Sequence, residues 1–195
     1  MPLKRKIPFD SGHFYITFTC YKWLQLFAIT DGYDLVYKWF DSLKKQGHYI
    51  TGFVTMPNHV HATIAFRKTV KNINTIIGDG KRFIGYEIVN RLKQTGHTDL
   101  LQQLEDRVNK SDKKRGKLHE VWEDSFDWKE CNSDAFTWQK LDYMHENPCV
   151  GKWRLAENAV AYPNSSARFY ISGIHANYAV LNFKELADIN LTTRS

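Results

Sequence analysis

Two runs, 49–56 and 59–66, are separated only by Pro57-Asn58, and this spacing constrains the fold of the 195-residue chain more than any other feature. Ile50, Thr51, Phe53, Val54 and Thr55 in the first run, and Val60, Thr63, Ile64 and Phe66 in the second, are β-branched or aromatic and suit a pleated surface. A two-residue connection cannot carry a crossover, so the runs read as neighbouring antiparallel strands joined by a tight turn. Everything else must be laid around that pair. Upstream, 13–20 alternates, with Phe14, Ile16, Phe18 and Cys20 on one face, and reads as a half-buried strand. From 31 to 45, Leu35, Val36, Trp39, Phe40 and Leu43 recur at helical spacing, and the run ends at Gly47.

Downstream, Val70, Ile73, Ile76 and Ile77 begin a helix that Gly78-Asp79-Gly80 is expected to interrupt, and Phe83, Ile84, Ile88 and Leu92 resume it. Helix or loop then leads to a short extended stretch at 118–122. A last helix starts from a Ser133 or Asn132 cap, runs to His145 and is stopped at Asn147 by Pro148. The order strand, helix, strand, strand, helix, strand predicts an α+β ferredoxin-like antiparallel sheet with two helices on one face. The final helix is extra to that unit. No repeat or linker divides the chain, so 1–195 reads as one domain, with 171–195 as an extension that covers the site, dimerises or packs on the core.

Composition narrows the class. Cys20, Cys131 and Cys149 are odd in number and lack Cys-x-x-Cys spacing, which argues against a disulfide scaffold or a thiolate zinc site and for a reducing cytoplasm. No stretch approaches the ~18 apolar residues of a membrane span, and residues 1–8 have no apolar segment of a secretory signal behind their basic residues. Lys and Arg number 27 against 21 Asp and Glu, a net +6. Most of that excess sits at 107–117, where Arg107, Lys110, Lys113, Lys114, Arg115 and Lys117 face only Asp112. A run like this is ordinarily a solvated loop, but it is where an anionic polymer would be drawn.

His59 and His61 open the third strand two residues apart, so their imidazoles share a face while Val60, Ala62, Ile64 and Phe66 take the other. Two adjacent imidazoles make half a metal site. With 8 His in 195 residues, about 0.3 such pairs arise by chance. Tyr143 and Asn147 stand at i and i+4 on the last helix and share its face, with the Asn147 amide at the helix end. Taken singly, each has an ordinary structural explanation: half-exposed histidines, a packed tyrosine, an Asn that stops a helix. The case for chemistry is that two histidines, an oxygen ligand and a nucleophile converge. Glu146 is a competing oxygen donor.

Met56-Pro57-Asn58-His59-Val60-His61 resembles the His-hydrophobic-His (HUH) motif of single-tyrosine HUH transposases. Leu141-Asp142-Tyr143-Met144-His145-Glu146-Asn147-Pro148 is similar to their tyrosine helix. Gly151-Lys152-Trp153 and the run from Tyr162-Pro163-Asn164 through Ser165-Ser166-Ala167-Arg168 resemble the C-terminal signature of the REP-associated tyrosine transposase-like branch. The similarity spans most of 10–170 and departs from the family pattern at Glu123-Asp124 and at Cys149.

The resemblance implies an HUH endonuclease fold, with Tyr143 as nucleophile and His59, His61 and Asn147 as ligands of Mg²⁺ or Mn²⁺. It implies metal-dependent cleavage and strand transfer of single-stranded DNA, beside a hairpin, through a covalent 5′-phosphotyrosine. A member domesticated to bind structured nucleic acid without cutting is the alternative. A free phenol ionises only near about pH 10, so attack needs the metal or a base, and Lys140 and His145 flank the helix as candidates. Lys81, Arg82, Lys113, Lys114 and Arg115 are the expected backbone contacts. No aromatic residue is assigned to base stacking, and the protein acts as a monomer or homodimer.

Overall fold

The computed structural model describes residues 6–124 and 126–193. Strand β1 (Gly12–Thr19) leads through a 3₁₀ turn at Tyr21–Trp23 and the short helix α1 (Leu26–Ile29) to α2 (Tyr33–Lys45). The hairpin β2 (Tyr49–Met56) and β3 (His59–Phe66) follows, then α3 (Ile73–Gln94), α4 (Thr98–Asp106) and α5 (Lys110–Lys114). The chain continues through β4 (Asp127–Glu130), α6 (Asp134–Glu146) and α7 (Ala167–Ser172). The sheet order is β2-β3-β1-β4 with every pair antiparallel, which is the expected ferredoxin-like topology.

Phe14, Ile16 and Phe18 of β1 and Val60, Ala62, Ile64 and Phe66 of β3 meet Leu35, Trp39, Phe40 and Leu43 of α2 and Ile77, Ile84 and Ile88 of α3 in the main core. The opposite face carries a second, smaller core in which Leu141 and Met144 of α6 pack on Tyr15, Val54 and Met56. The sheet is therefore covered on both sides. The face used by α6 is the one on which the histidines stand.

Two expectations are corrected. Helix α3 is continuous over 22 residues, without a break at Gly78-Asp79-Gly80, and Val70 lies before it, exposed. Gly80 supplies room: a Cβ there would lie 2.2 Å from Trp39 Nε1, so its bare backbone lets α2 and α3 close on each other. The fourth strand is 127–130, not 118–122, which meets the sheet only through a bridge between Cys20 and Trp122. Trp122 instead wedges edge-on against Phe18 and donates from Nε1 to the Lys81 carbonyl at 2.8 Å. Asp127, Lys129 and Glu130 leave the true strand without apolar alternation, because it is a solvent-facing edge protected by charge. Strand β2 has the expected bounds and carries a bulge. Register shifts between Ile50 and Gly52, and this bulge puts Ile50 and Phe53 in the same core while Gly52, Val54 and Met56 face α6.

The C-terminal signature closes the other sheet edge. Thr55 N–H donates to the Asn164 carbonyl at 2.8 Å and Ser166 N–H to the Phe53 carbonyl at 2.9 Å, and Val54 bridges to Ser165. Further on, Leu181 N–H donates to the Ile50 carbonyl at 2.9 Å, Tyr178 stacks on Tyr37 and Val180 joins the main core. Of the roles open to 171–195, the described part packs on the core.

Candidate active site

His59 and His61 lie on β3 opposite Thr19 and Thr17 of β1 and opposite Met56 and Val54 of β2. Strand alternation sends both imidazoles toward α6, with ring centroids 4.7 Å apart and planes near perpendicular. Both side chains are buried, at 5% and 6% exposure. Each Nδ1 is held from behind. The Asn58 amide donates to the Trp23 carbonyl at 3.0 Å, which turns Oδ1 toward His59 Nδ1, 2.6 Å away. An amide oxygen only accepts, so His59 Nδ1 carries the proton and Nε2 keeps its lone pair. His61 Nδ1 sits between Tyr15 Oη at 2.7 Å and Thr17 Oγ1 at 2.6 Å, with the Tyr15 ring stacked on the imidazole. Its Nε2 is the nitrogen left for a ligand.

Burial, and then the charge of Lys152, pushes His59 down to about 4. Burial, His59 and Lys140 hold His61 well below the usual imidazole range. Both rings are thus neutral at pH 7, as a ligand must be.

Helix α6 starts where Ser133 Oγ accepts from Phe136 N–H, and Leu141 and Met144 seat it on the sheet. Tyr143 lies between these two in sequence and is 56% exposed, and its ring centroid lies 5.7 Å from that of His61. Lys140, one turn earlier, is half-buried, with Nζ over the Tyr15 and Tyr143 rings at 5.4 and 6.0 Å. Asn147 caps the helix and donates from Nδ2 to the Tyr143 carbonyl at 3.1 Å. Its Oδ1 has no hydrogen-bond partner among the described residues. Among those residues no three His, Cys, Asp or Glu converge on a metal position.

The same geometry removes two rivals and accounts for the acidic pair. Glu146 is exposed and does not join the histidines. His145 is buried on the far side of α6, 2.8 Å from Ser166 Oγ, and is no base for Tyr143. Glu123 and Asp124 are structural: Glu123 Oε1 accepts from Lys22 N–H at 2.8 Å, and Asp124 pairs with Arg107 at 3.0 Å.

The expected DNA contacts divide. Arg82 pairs with Asp79 at 2.9 Å and Arg115 with Asp112, while Lys81 lies over the Trp122 ring. Lys81, Arg82 and Arg115 line a groove of about 900 Å³ together with Lys93, Arg107 and Lys117. Lys113 and Lys114 are exposed on α5, outside that lining. Arg168 is exposed and has no ion pair among the described residues, so Ser165 and Ser166, not Arg168, tie the C-terminal run to β2. Sequence reasoning passed over Tyr15, Thr17, Asn58 and Lys152. The signal was available for Tyr15 and Thr17, since alternation puts them opposite Phe14, Ile16 and Phe18, on the histidine face.

No sequence-family profile matches the chain, and no curated protein matches it. Among solved structures, one described as the REP-associated tyrosine transposase bound to a REP hairpin superposes with a TM-score of 0.62 over 100% of this chain and 99% of its own, at 15% identity. A candidate transposase from Deinococcus radiodurans R1 aligns over 75% of this chain and 97% of its own, at 17% identity and a TM-score of 0.37. The chain therefore has the fold of a REP-associated tyrosine transposase.

Proposed function

We propose that this protein is a single-tyrosine transposase or nickase that cleaves and rejoins single-stranded DNA beside a hairpin, with Tyr143 as its nucleophile. The observation that carries the reading is the meeting of a strand and a helix: neutral, buried imidazoles of His59 and His61, near perpendicular to each other, beside a half-exposed phenol ring. A hairpin substrate is supported by the fold shared with the hairpin-bound transposase.

His59 Nε2, His61 Nε2 and Asn147 Oδ1 are the groups that would hold a divalent ion. No donor is a thiolate, and two imidazoles with one carboxamide suit Mn²⁺ better than Mg²⁺, which takes mostly oxygen ligands and would lean on the phosphate and water for them. When bound, the ion polarises the scissile phosphate and offsets its charge. Uncharged donors beside Lys140 and Lys152 hold a cation weakly by themselves, so ion and strand are expected to bind together. Tyr143 Oη attacks phosphorus; the phosphotyrosine bond forms, the P–O3′ bond breaks, and the released oxygen takes a proton to become a 3′-OH. Lys140 places an ammonium where negative charge develops between phenol and phosphate. Attack by a second 3′-OH on the phosphotyrosine restores the phenol and joins the strands, with no external energy source.

The test is a covalent-adduct assay with Mn²⁺ on single-stranded hairpins taken from DNA flanking the gene. The wild-type chain should form an adduct that resists denaturation. Tyr143→Phe should form none while still binding DNA. Cleavage by that variant at the wild-type rate would remove Tyr143 from the mechanism. Tight DNA binding with no adduct in any divalent ion would favour the domesticated binder.

A further inference from the structure

Lys22 and Trp23 sit in consecutive left-handed conformations, at φ 48° and 59°, a backbone that L-residues other than Asn and Asp seldom adopt. The turn is held there from several directions. Tyr21 N–H donates to the Val121 carbonyl at 2.8 Å, Lys22 N–H to Glu123 Oε1 at 2.8 Å, and Asn58 Nδ2 to the Trp23 carbonyl at 3.0 Å. What this strained turn presents is an indole. Trp23 is 57% exposed and belongs to neither core. Its ring contact is an edge approach to His59, with centroids 5.8 Å apart. Trp153 approaches the same imidazole at 6.3 Å, but that indole is partly buried against the second core and has a packing role. Trp23 has none.

A large apolar ring kept in water on a strained backbone, beside a ligand histidine, needs a use that folding does not supply. The geometry points to Trp23 as a stacking platform for an unpaired base of the DNA strand, one nucleotide away from the scissile phosphate. The inference rests on the strand-cleavage reading and adds to it the residue that receives the flanking base. Aromatic stacking suits single strands because every base has a π-face, whatever the sequence. The turn is also tied to the basic groove, since Glu123 lines the groove and holds Lys22. The Tyr21–Trp23 turn thus touches the groove through Glu123 and the histidines through Trp23, so a strand held by both would meet the indole.

The probe is a fluorescein-labelled single strand of mixed sequence, roughly 12 nucleotides long, titrated by anisotropy at fixed salt with Mn²⁺. Trp23→Ala should weaken binding roughly 5- to 100-fold, from the usual worth of one stacked base, and Trp23→Phe should recover most of the loss. Trp23→Gly separates binding from folding. Glycine relaxes the left-handed backbone, so this variant should melt at or above the wild-type temperature yet bind as poorly as Trp23→Ala. Mn²⁺ binding at saturating strand, followed by electron paramagnetic resonance, should stay the same in all three. Wild-type affinity in Trp23→Ala overturns the inference, as does a lowered melting temperature in Trp23→Gly or loss of Mn²⁺ binding, which would make Trp23 a prop for His59. If Trp23→Ala binds normally while the wild-type chain forms its Tyr143 adduct, only the stacking role falls. If the wild-type chain binds no single strand at all, the cleavage reading falls and takes this inference with it.

Discussion

Gly52 lies beneath the helix that carries Tyr143, and a methyl group added there would meet Leu141 Cδ2 at 2.4 Å and Thr63 Oγ1 at 2.7 Å. Ordinary contact begins near 3.4 Å, so about 1 Å of movement is needed. Leu141 is fully buried, with Met144 Cε also within 3.4 Å of the new methyl, so its side chain has nowhere to turn and the helix itself must lift. Overpacking of this kind costs about 1–3 kcal/mol, and the lost freedom of glycine in the unfolded chain returns about 0.4–1 kcal/mol. The expected net loss for Gly52→Ala is about 1–2 kcal/mol, a fall in Tm of about 2–8 °C for a chain of this size. A lift of about 1 Å also moves Tyr143 away from the phosphate, at about 100-fold in adduct rate.

Gly80→Ala is the control, because its methyl would strike Trp39 Nε1 at 2.2 Å on the opposite face of the sheet. It should lower Tm by a similar amount and leave the adduct rate within a few-fold. Trimming Leu141 to Ala in the Gly52→Ala background should restore part of the rate, with a coupling of about 0.5–3 kcal/mol in stability. If Gly52→Ala loses stability but cleaves at the wild-type rate, the sheet does not set the height of Tyr143 and the reasoning is refuted. Equal losses of rate in Gly52→Ala and Gly80→Ala would refute it too.

Two further outcomes follow from the charges. His48 and His145 are buried and held near about 4 by burial, with Arg67 adding to the effect at His48. Because these folded values lie below the unfolded 6.5, the unfolded chain takes up the protons and stability drains as pH falls from about 6.5 to about 4, by at most about 3 kcal/mol per histidine. Replacing both by Gln should lessen the fall of the urea midpoint over that range without abolishing it, since buried His13, His59 and His61 are also lowered, and an unchanged pH dependence would exclude them. In DNA binding, Lys113→Gln with Lys114→Gln should lower the slope of log affinity against log salt by about 1.4, at ~0.7 per released phosphate contact. Arg115→Gln should add less, since Asp112 already engages that guanidinium. An unchanged slope makes α5 a solvated surface only.

The strand and helix order was legible because hydrophobic period is a local property of the chain. The alternation through Phe14, Ile16 and Phe18 and the paired runs around Pro57-Asn58 placed the ferredoxin-like core without any tertiary information. The same logic set His59 and His61 on one face and Tyr143 and Asn147 on another. Three things were not local. Gly80 looks like a helix breaker until Trp39 is seen to occupy the space it leaves. The bulge at Thr51, which puts Gly52 under Leu141, follows from packing on both faces of β2 and from no pattern within it. β4 is an edge strand whose exposed charged residues hide it.

The sequence by itself determined which residue types share a face, since side-chain direction follows from φ and ψ alone. Only the tertiary structure decided that the two faces meet: α6 crosses the sheet at a height set by Gly52, Leu141 and Met144, and brings the Tyr143 ring to His61. It also decided the state of the histidines, because burial and the Asn58, Tyr15 and Thr17 partners, contributed by separate turns and strands, set both charge and ring orientation. Contacts between residues distant in sequence depend on how whole elements pack, and no window of the chain contains that information.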